Sequence, residues 1–235
     1  MVDCDKWALH TFPVAKSRSS ATQPPAQACT DGPGPAGTVG GNLGRTFGNP
    51  LSPTAIAERQ HCIGASEAGI IADGGLADLE QLKRQKLGLE GPVDLTRVLP
   101  VQIGVATEEL NRAWFEAQTG RIVTREQERI VHPDYSFIAA TLDGVTVNAG
   151  NQTAVLECKH VGERFKLADI VKRYYPQIQH QLMVTGYHYA CLSVFFGNKR
   201  WEMVEIDSDF WYQNDLLAAE KEFWQTVENG RANLP

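Results

Sequence analysis

No two of the five cysteines, at positions 4, 29, 62, 158 and 191, stand at the close spacing of a zinc-ligand or redox pair. Such an odd, scattered set predicts reduced thiols and an intracellular compartment. No apolar run approaches the roughly 20 residues that cross a bilayer. Asp3, Asp5 and Lys6 stand where a secretory signal would carry a basic start and an apolar stretch. The expectation is a soluble, unexported protein. A glycine-rich phosphate loop, a nucleophilic serine or cysteine motif and an internal repeat are all missing, which removes P-loop chemistry, acyl-enzyme chemistry and solenoid folds from consideration. An excess of positive charge is missing too. A formal net charge of −6 excludes a protein that coats nucleic acid by general basicity, while leaving a local basic groove open.

The chain contains two different materials. Residues 1–50 hold Pro24-Pro25, Gly32-Pro-Gly-Pro35 and Gly40-Gly41 with almost no apolar periodicity. They are expected to form a disordered tail, because such a composition buries too little surface to offset its ordering entropy. Residues 51–235 carry the periodic patterns of one folded domain. Helices are expected over Leu76–Leu87, closed by Gly88, and within Val98–Gly120, where Leu110, Trp114 and Ala117 fall on one stripe. Strands are expected around Arg121–Val123 and Glu128–His132, then a hairpin from Phe137 to Lys159. Residues 165–173 read as helical, and Pro176 as the first residue of another helix ending at Gly186. Strands Cys191–Phe196 and Trp201–Ile206 follow. A last helix from Asp209 to Asn229, capped by Ser208, presents Leu216, Phe223 and Val227, with Phe210, Leu217 and Trp224 beside them.

The chemistry concentrates in the hairpin. Side chains alternate along a strand, so Val155, Glu157 and Lys159 share one face while Leu156 and Cys158 share the other. Asp143 ends the preceding apolar run beside Gly144, where a strand bends readily. Two converging carboxylates with a lysine would suit a hard divalent cation and a water. Taken alone, Glu-X-Lys reads as the solvated face of an amphipathic strand. Directly after it, Lys159, Arg164, Lys166, Lys172 and Arg173 face only Glu163 and Asp169 in charge, which fits either a phosphate-backbone contact or an ordinary helix surface. Ser66 reads as a helix N-cap, a place that also offers free N–H groups to a phosphate. Glu108 lies one turn from Arg112, as an ion pair or as an acid turned toward a site.

The order of these parts resembles the restriction-endonuclease-like superfamily, and within it the phage lambda exonuclease or YqaJ viral recombinase family. The residues that carry the resemblance are Arg59 with Ile63-Gly-Ala-Ser66, Gly104-Val-Ala-Thr-Glu108 leading to Thr119-Gly120, His132-Pro133, Ala140-Thr-Leu-Asp143-Gly144, Leu156-Glu-Cys-Lys159 and Tyr175-Pro-Gln177-Ile-Gln179. Leu142 stands where many relatives have proline. The resemblance implies an α/β fold, a restriction-endonuclease-like core whose mixed central β-sheet is flanked by helices. It implies that Asp143, Glu157 and the carbonyl of Cys158 bind Mg²⁺, for which Mn²⁺ can substitute. Lys159 would then orient or deprotonate the attacking water, Glu108 would complete the carboxylates, and Gln177 would sit by the water or metal. Arg59 and Ser66 match positions that hold a 5′-terminal phosphate; Gln179 and Arg164 are further candidates for DNA contact. The implied activity is 5′→3′ exonucleolysis of double-stranded DNA in phage-type recombination, in the cytoplasm of a bacterial host, alongside a single-strand annealing protein and in a homo-oligomer, a ring of three in lambda-type relatives. The competing expectations are a structure- or sequence-specific endonuclease and a DNA-binding module with a decayed site.

Overall fold

The computed structural model describes residues 53 to 234, so the tail expected over residues 1–50 lies outside the described residues. Helix α1 (Pro53–Gln60) leads through a two-residue strand β1 (Ile63–Gly64) into α2 (Ala65–Asp73), α3 (Leu76–Lys86) and the long α4 (Leu99–Thr119). Strands β2 (Arg129–Val131), β3 (Ile138–Thr141), β4 (Gly144–Val147) and β5 (Thr153–Val161) come next. Helix α5 (Leu167–Thr185), strands β6 (Tyr189–Phe196) and β7 (Arg200–Asp207), and α6 (Phe210–Ala232) complete the order.

The class is mixed α/β as expected, with a mixed sheet flanked by helices, ordered β4-β5-β6-β7; a second, smaller sheet is ordered β1-β3-β2. The break falls at Leu142-Asp143, where the chain leaves the smaller sheet and enters the mixed one. The hairpin is therefore β4–β5, with Gly144 opposite Leu156 and Val147 opposite Thr153. Asn148 closes it: its side-chain oxygen accepts from the Gly150 and Gln152 N–H groups, both at 2.9 Å. Strands β5 and β6 are parallel, which demands a crossover, and α5 supplies it.

Strand β5 is buried on both faces, as a strand between two helical layers must be. Val155 packs in one cluster with Ile178 and Leu182 of α5, whereas Ala154, Leu156 and Cys158 pack with Phe115 of α4. The predicted stripe on α4 points the other way. Leu110 and Trp114 are 55% and 43% exposed, while Asn111 and Phe115 face the sheet. The reason is polar matching: the Asn111 amide donates to the Lys159 and Ser193 carbonyls, at 3.1 and 3.2 Å.

Three further differences have local causes. Helix α5 is continuous through Pro176, although two helices were expected; the proline removes one N–H to the Lys172 carbonyl, and its buried apolar neighbours Ile170, Ile178 and Leu182 hold the helix together across the gap. Arg121–Val123 forms no strand; pairing there is limited to a single bridge between Thr124 and Val145. Helix α6 is capped by Asp209, which accepts from the Tyr212 N–H at 3.0 Å, instead of by Ser208. Its Leu216, Phe223, Trp224 and Val227 are buried as expected, while Phe210 is exposed. Cys62, Cys158 and Cys191 are free and buried. Among the described residues no helix is long and apolar enough to cross a membrane.

Candidate active site

Asp143 occupies the junction between the two sheets, and the sequence makes that junction possible through Gly144. A Cβ on Gly144 would stand 2.5 Å from Val123 Cγ1, so no larger residue fits without displacing Val123. Asp143 Oδ2 accepts from the Cys158 N–H at 2.8 Å. Because the N–H and C=O of one strand residue point to the same edge, the Cys158 carbonyl also faces the Asp143 side.

Glu157, on the α5 face of β5, is 1% exposed, and donors surround its carboxylate. Oε1 accepts from the Lys159 ammonium and, at 2.6 Å, from the Gln177 amide; Oε2 accepts from the Gln181 amide, also at 2.6 Å. Helix α5 thus brings Gln177 and Gln181, one turn apart, onto the buried acid. Lys159 also lies over the Tyr174 ring, 4.8 Å from its centroid.

The electrostatics are unbalanced. Burial, and then the nearby Glu157 charge, push the Asp143 carboxyl up to about 8 from its ordinary 3.8, with Lys159 only partly opposing them. Burial pulls the Lys159 ammonium down, yet Glu157 and Asp143 together outweigh it and hold the lysine above its ordinary value. The site is therefore two carboxylates and one cation in a largely dry place.

Glu108 reaches the rim from α4. Its carboxylate is held by Arg112 and by the Gln127 amide at 2.6 Å, and it contributes to the rise at Asp143. Arg112 also approaches the Asp143 carbonyl at 3.5 Å and pairs with Glu126 at 3.1 Å. Among the described residues no side-chain hydrogen bond or ion pair joins Arg59 or Ser66 to this cluster. Arg59 lines a cavity with Gln60, Glu67, Gln85, Lys86, Glu90 and Pro92; Ser66 is exposed in the first turn of α2. Ser66 is not the N-cap. Gly64 is, with Glu67 accepting its N–H at 2.8 Å, because a side chain three residues on can reach back over the turn. Arg164 is exposed beyond β5, with Lys166 and Lys172.

Gln179 does not join the site. It is wholly buried, donates to the Asp207 carbonyl at 2.8 Å and accepts from the Asp209 N–H and the Gln213 amide, both at 2.9 Å. With its polar atoms engaged it joins α5 to β7 and α6, so its candidacy for DNA contact is withdrawn. Sequence reasoning missed Gln181, although its place one turn after Gln177 was the available signal. It also missed Tyr174 and Gln127, for which no spacing rule spoke.

The residues present fit a hard divalent cation. A carboxylate pair short of positive charge invites one, and oxygen donors are what such ions prefer. Beside Glu157, the buried Gln181 Oε1 has no hydrogen-bond partner among the described residues, as expected next to a hydrated ion. Among the described residues no three His, Cys, Asp or Glu side chains gather into a metal site by themselves, so two carboxylates and the Cys158 carbonyl would form the donor set.

Comparison with known proteins gives the family and the fold. Residues 56–188 match the YqaJ-like viral recombinase domain. The YqaJ protein of Bacillus subtilis (strain 168) is 30% identical over 183 residues, covering 72% of this chain and 54% of that protein, so the chain spans about half the length of this relative. Among solved structures, an alkaline exonuclease from Laribacter hongkongensis superposes with a TM-score of 0.62 at 19% identity, over 75% of this chain and 93% of that one. A phage-related exonuclease from Haemophilus somnus 129PT gives 0.50 at 15% identity, over 78% and 92%. The chain belongs to the YqaJ-like viral recombinase family, and its fold is that of these exonucleases.

Proposed function

We propose that this protein is a divalent-metal-dependent deoxyribonuclease, a 5′→3′ exonuclease on double-stranded DNA that serves phage-type recombination. The observation that carries the reading is the convergence of Asp143, Glu157 and Lys159 at a sheet junction, with the carboxylates short of positive charge. Family membership and the exonuclease fold support the same substrate class.

Asp143, Glu157 and the Cys158 carbonyl would hold Mg²⁺, with Mn²⁺ as a substitute. When bound, the ion supplies Lewis-acid stabilisation of phosphate charge and a more acidic water. Gln177 and Gln181 keep the Glu157 carboxylate oriented, so its geometry is preset before substrate arrives. Lys159, held as an ammonium by its neighbours, serves best as a donor that orients the attacking water and the scissile phosphate. Glu108, already fixed by Arg112 and Gln127, adds a carboxylate at the rim. Arg59 is the proposed ligand of the 5′-terminal phosphate, with Ser66 nearby in sequence, and Arg164 with its basic neighbours would track the DNA backbone. Removal of one strand leaves a 3′ single strand, the substrate of an annealing protein.

The test is digestion of a 5′-phosphorylated linear duplex labelled separately at each end, with Mg²⁺ or with chelator. Metal-dependent release beginning at the 5′ end is expected. Rapid cutting of covalently closed circles would overturn the exonuclease reading in favour of an endonuclease, and absence of hydrolysis with either metal would favour a binding module.

A further inference from the structure

Lys86, in the last turn of α3, is 3% exposed, an unusual place for an ammonium. Its Nζ donates to the Arg59 and Cys62 carbonyls, both at 2.6 Å, and to the two carboxylate oxygens of Glu67 at 2.8 and 2.6 Å. Three protons shared among four acceptors leave no donor to spare. One side chain thus ties together the end of α1, the approach to β1, the first turn of α2 and the end of α3. The guanidinium of Arg59, by contrast, makes no hydrogen bond or ion pair with any described residue, and it lines the cavity that Glu67 and Lys86 share. An arginine with a pinned backbone and a free head is arranged for a ligand outside the fold.

The charges in that cavity point to the ligand's sign. Glu67 would repel an anion, and Lys86 cancels it. Glu90 is engaged by Arg84 at 3.4 Å. What remains uncompensated is Arg59.

We propose that Lys86 is a positioning residue for recognition of a 5′-phosphorylated DNA end. By holding the Arg59 carbonyl it fixes where the guanidinium can reach, and by neutralising Glu67 it keeps the cavity receptive to a phosphate. The inference rests on the proposed role of Arg59 as the ligand of that phosphate.

The experiment compares wild type, Arg59→Ala, Lys86→Met and the double variant Lys86→Met/Glu67→Gln on one linear duplex carrying either a 5′-phosphate or a 5′-hydroxyl. KM and kcat are read separately. Lys86→Met is expected to lower the phosphate preference in kcat/KM about tenfold or more, the worth of one charge-assisted hydrogen bond, with the loss in KM for the phosphorylated end. A general folding defect would lower both substrates alike. The double variant strands no buried charge, so it remains testable if the single variant does not fold, and with the Arg59 carbonyl still untethered it is expected to lose the preference as well. Loss of the preference in Arg59→Ala but not in the Lys86 variants would overturn the inference and leave the seat standing. Should wild type show no preference, or Arg59→Ala retain it, the seat itself is wrong and the inference falls with it.

Discussion

Two of the buried clusters of charged side chains, one at Lys86 and one at Asp143 and Glu157, are built in opposite ways. At Lys86 the account is balanced: one ammonium meets one carboxylate and two carbonyls. At Asp143 and Glu157 two carboxylates share one lysine, and the Asp143 carboxyl is driven up to about 8. Balanced burial holds a fold together. Unbalanced burial is tolerated where something outside the chain completes it, which is how functional sites come to carry perturbed groups.

Neutralising each place should therefore have opposite consequences. Asp143→Asn is expected to lower nuclease activity on the order of 10³-fold in a Mg²⁺-supported digestion. The same variant should melt higher than wild type in chelator at pH 8.5, because it removes an uncompensated charge while its side-chain oxygen can still accept from Cys158. Lys86→Met should do the reverse, lowering stability by about 3 kcal/mol in denaturant unfolding, since it leaves the part-buried Glu67 without its cation and the Arg59 and Cys62 carbonyls without their donor.

The pH dependence sharpens the contrast. The folded state binds the Asp143 proton more tightly than the unfolded chain, whose aspartate titrates near 3.8. That contribution to stability is fully present below about 4 and is lost as the pH rises through about 8. Metal-free wild type should thus melt lower at pH 8.5 than at pH 5, Asp143→Asn should show a shallower fall, and Mg²⁺ should raise the wild-type melting temperature more at the higher pH. Smaller effects should separate strut from site. Gln179→Leu is expected to cost about 1–3 kcal/mol in unfolding, with kcat unchanged, since its amide bonds only β7 and α6. Arg164→Ala should leave stability within about 0.5 kcal/mol and reduce the salt dependence of DNA binding by about one charge.

Much of this was legible in the sequence where a local rule applied. Strand alternation put Glu157 and Lys159 on one face, and Gly120 and Gly88 marked helix ends with left-handed backbone. The apolar stripe of α6 went into the core. Illegible features depended on what a neighbouring element presented. The stripe at Leu110 and Trp114 faces outward because the sheet offers carbonyls that Asn111 can reach. A second, smaller sheet accompanies the mixed one because the chain changes partners at Asp143. Gln177 and Gln179 look alike in sequence, yet two residues on a helix are about 200° apart. One therefore meets Glu157 while the other joins β7 to α6, and Gln181 shares the productive side with Gln177.

The most direct measurement is a pair of melting curves at pH 8.5 for wild type and Asp143→Asn, each in chelator and in Mg²⁺. If the carboxylate pair is a site awaiting a cation, chelated Asp143→Asn melts above chelated wild type, and wild type gains far more from Mg²⁺. A wild type indifferent to both Mg²⁺ and Mn²⁺, with Asp143→Asn melting below it, would contradict the account.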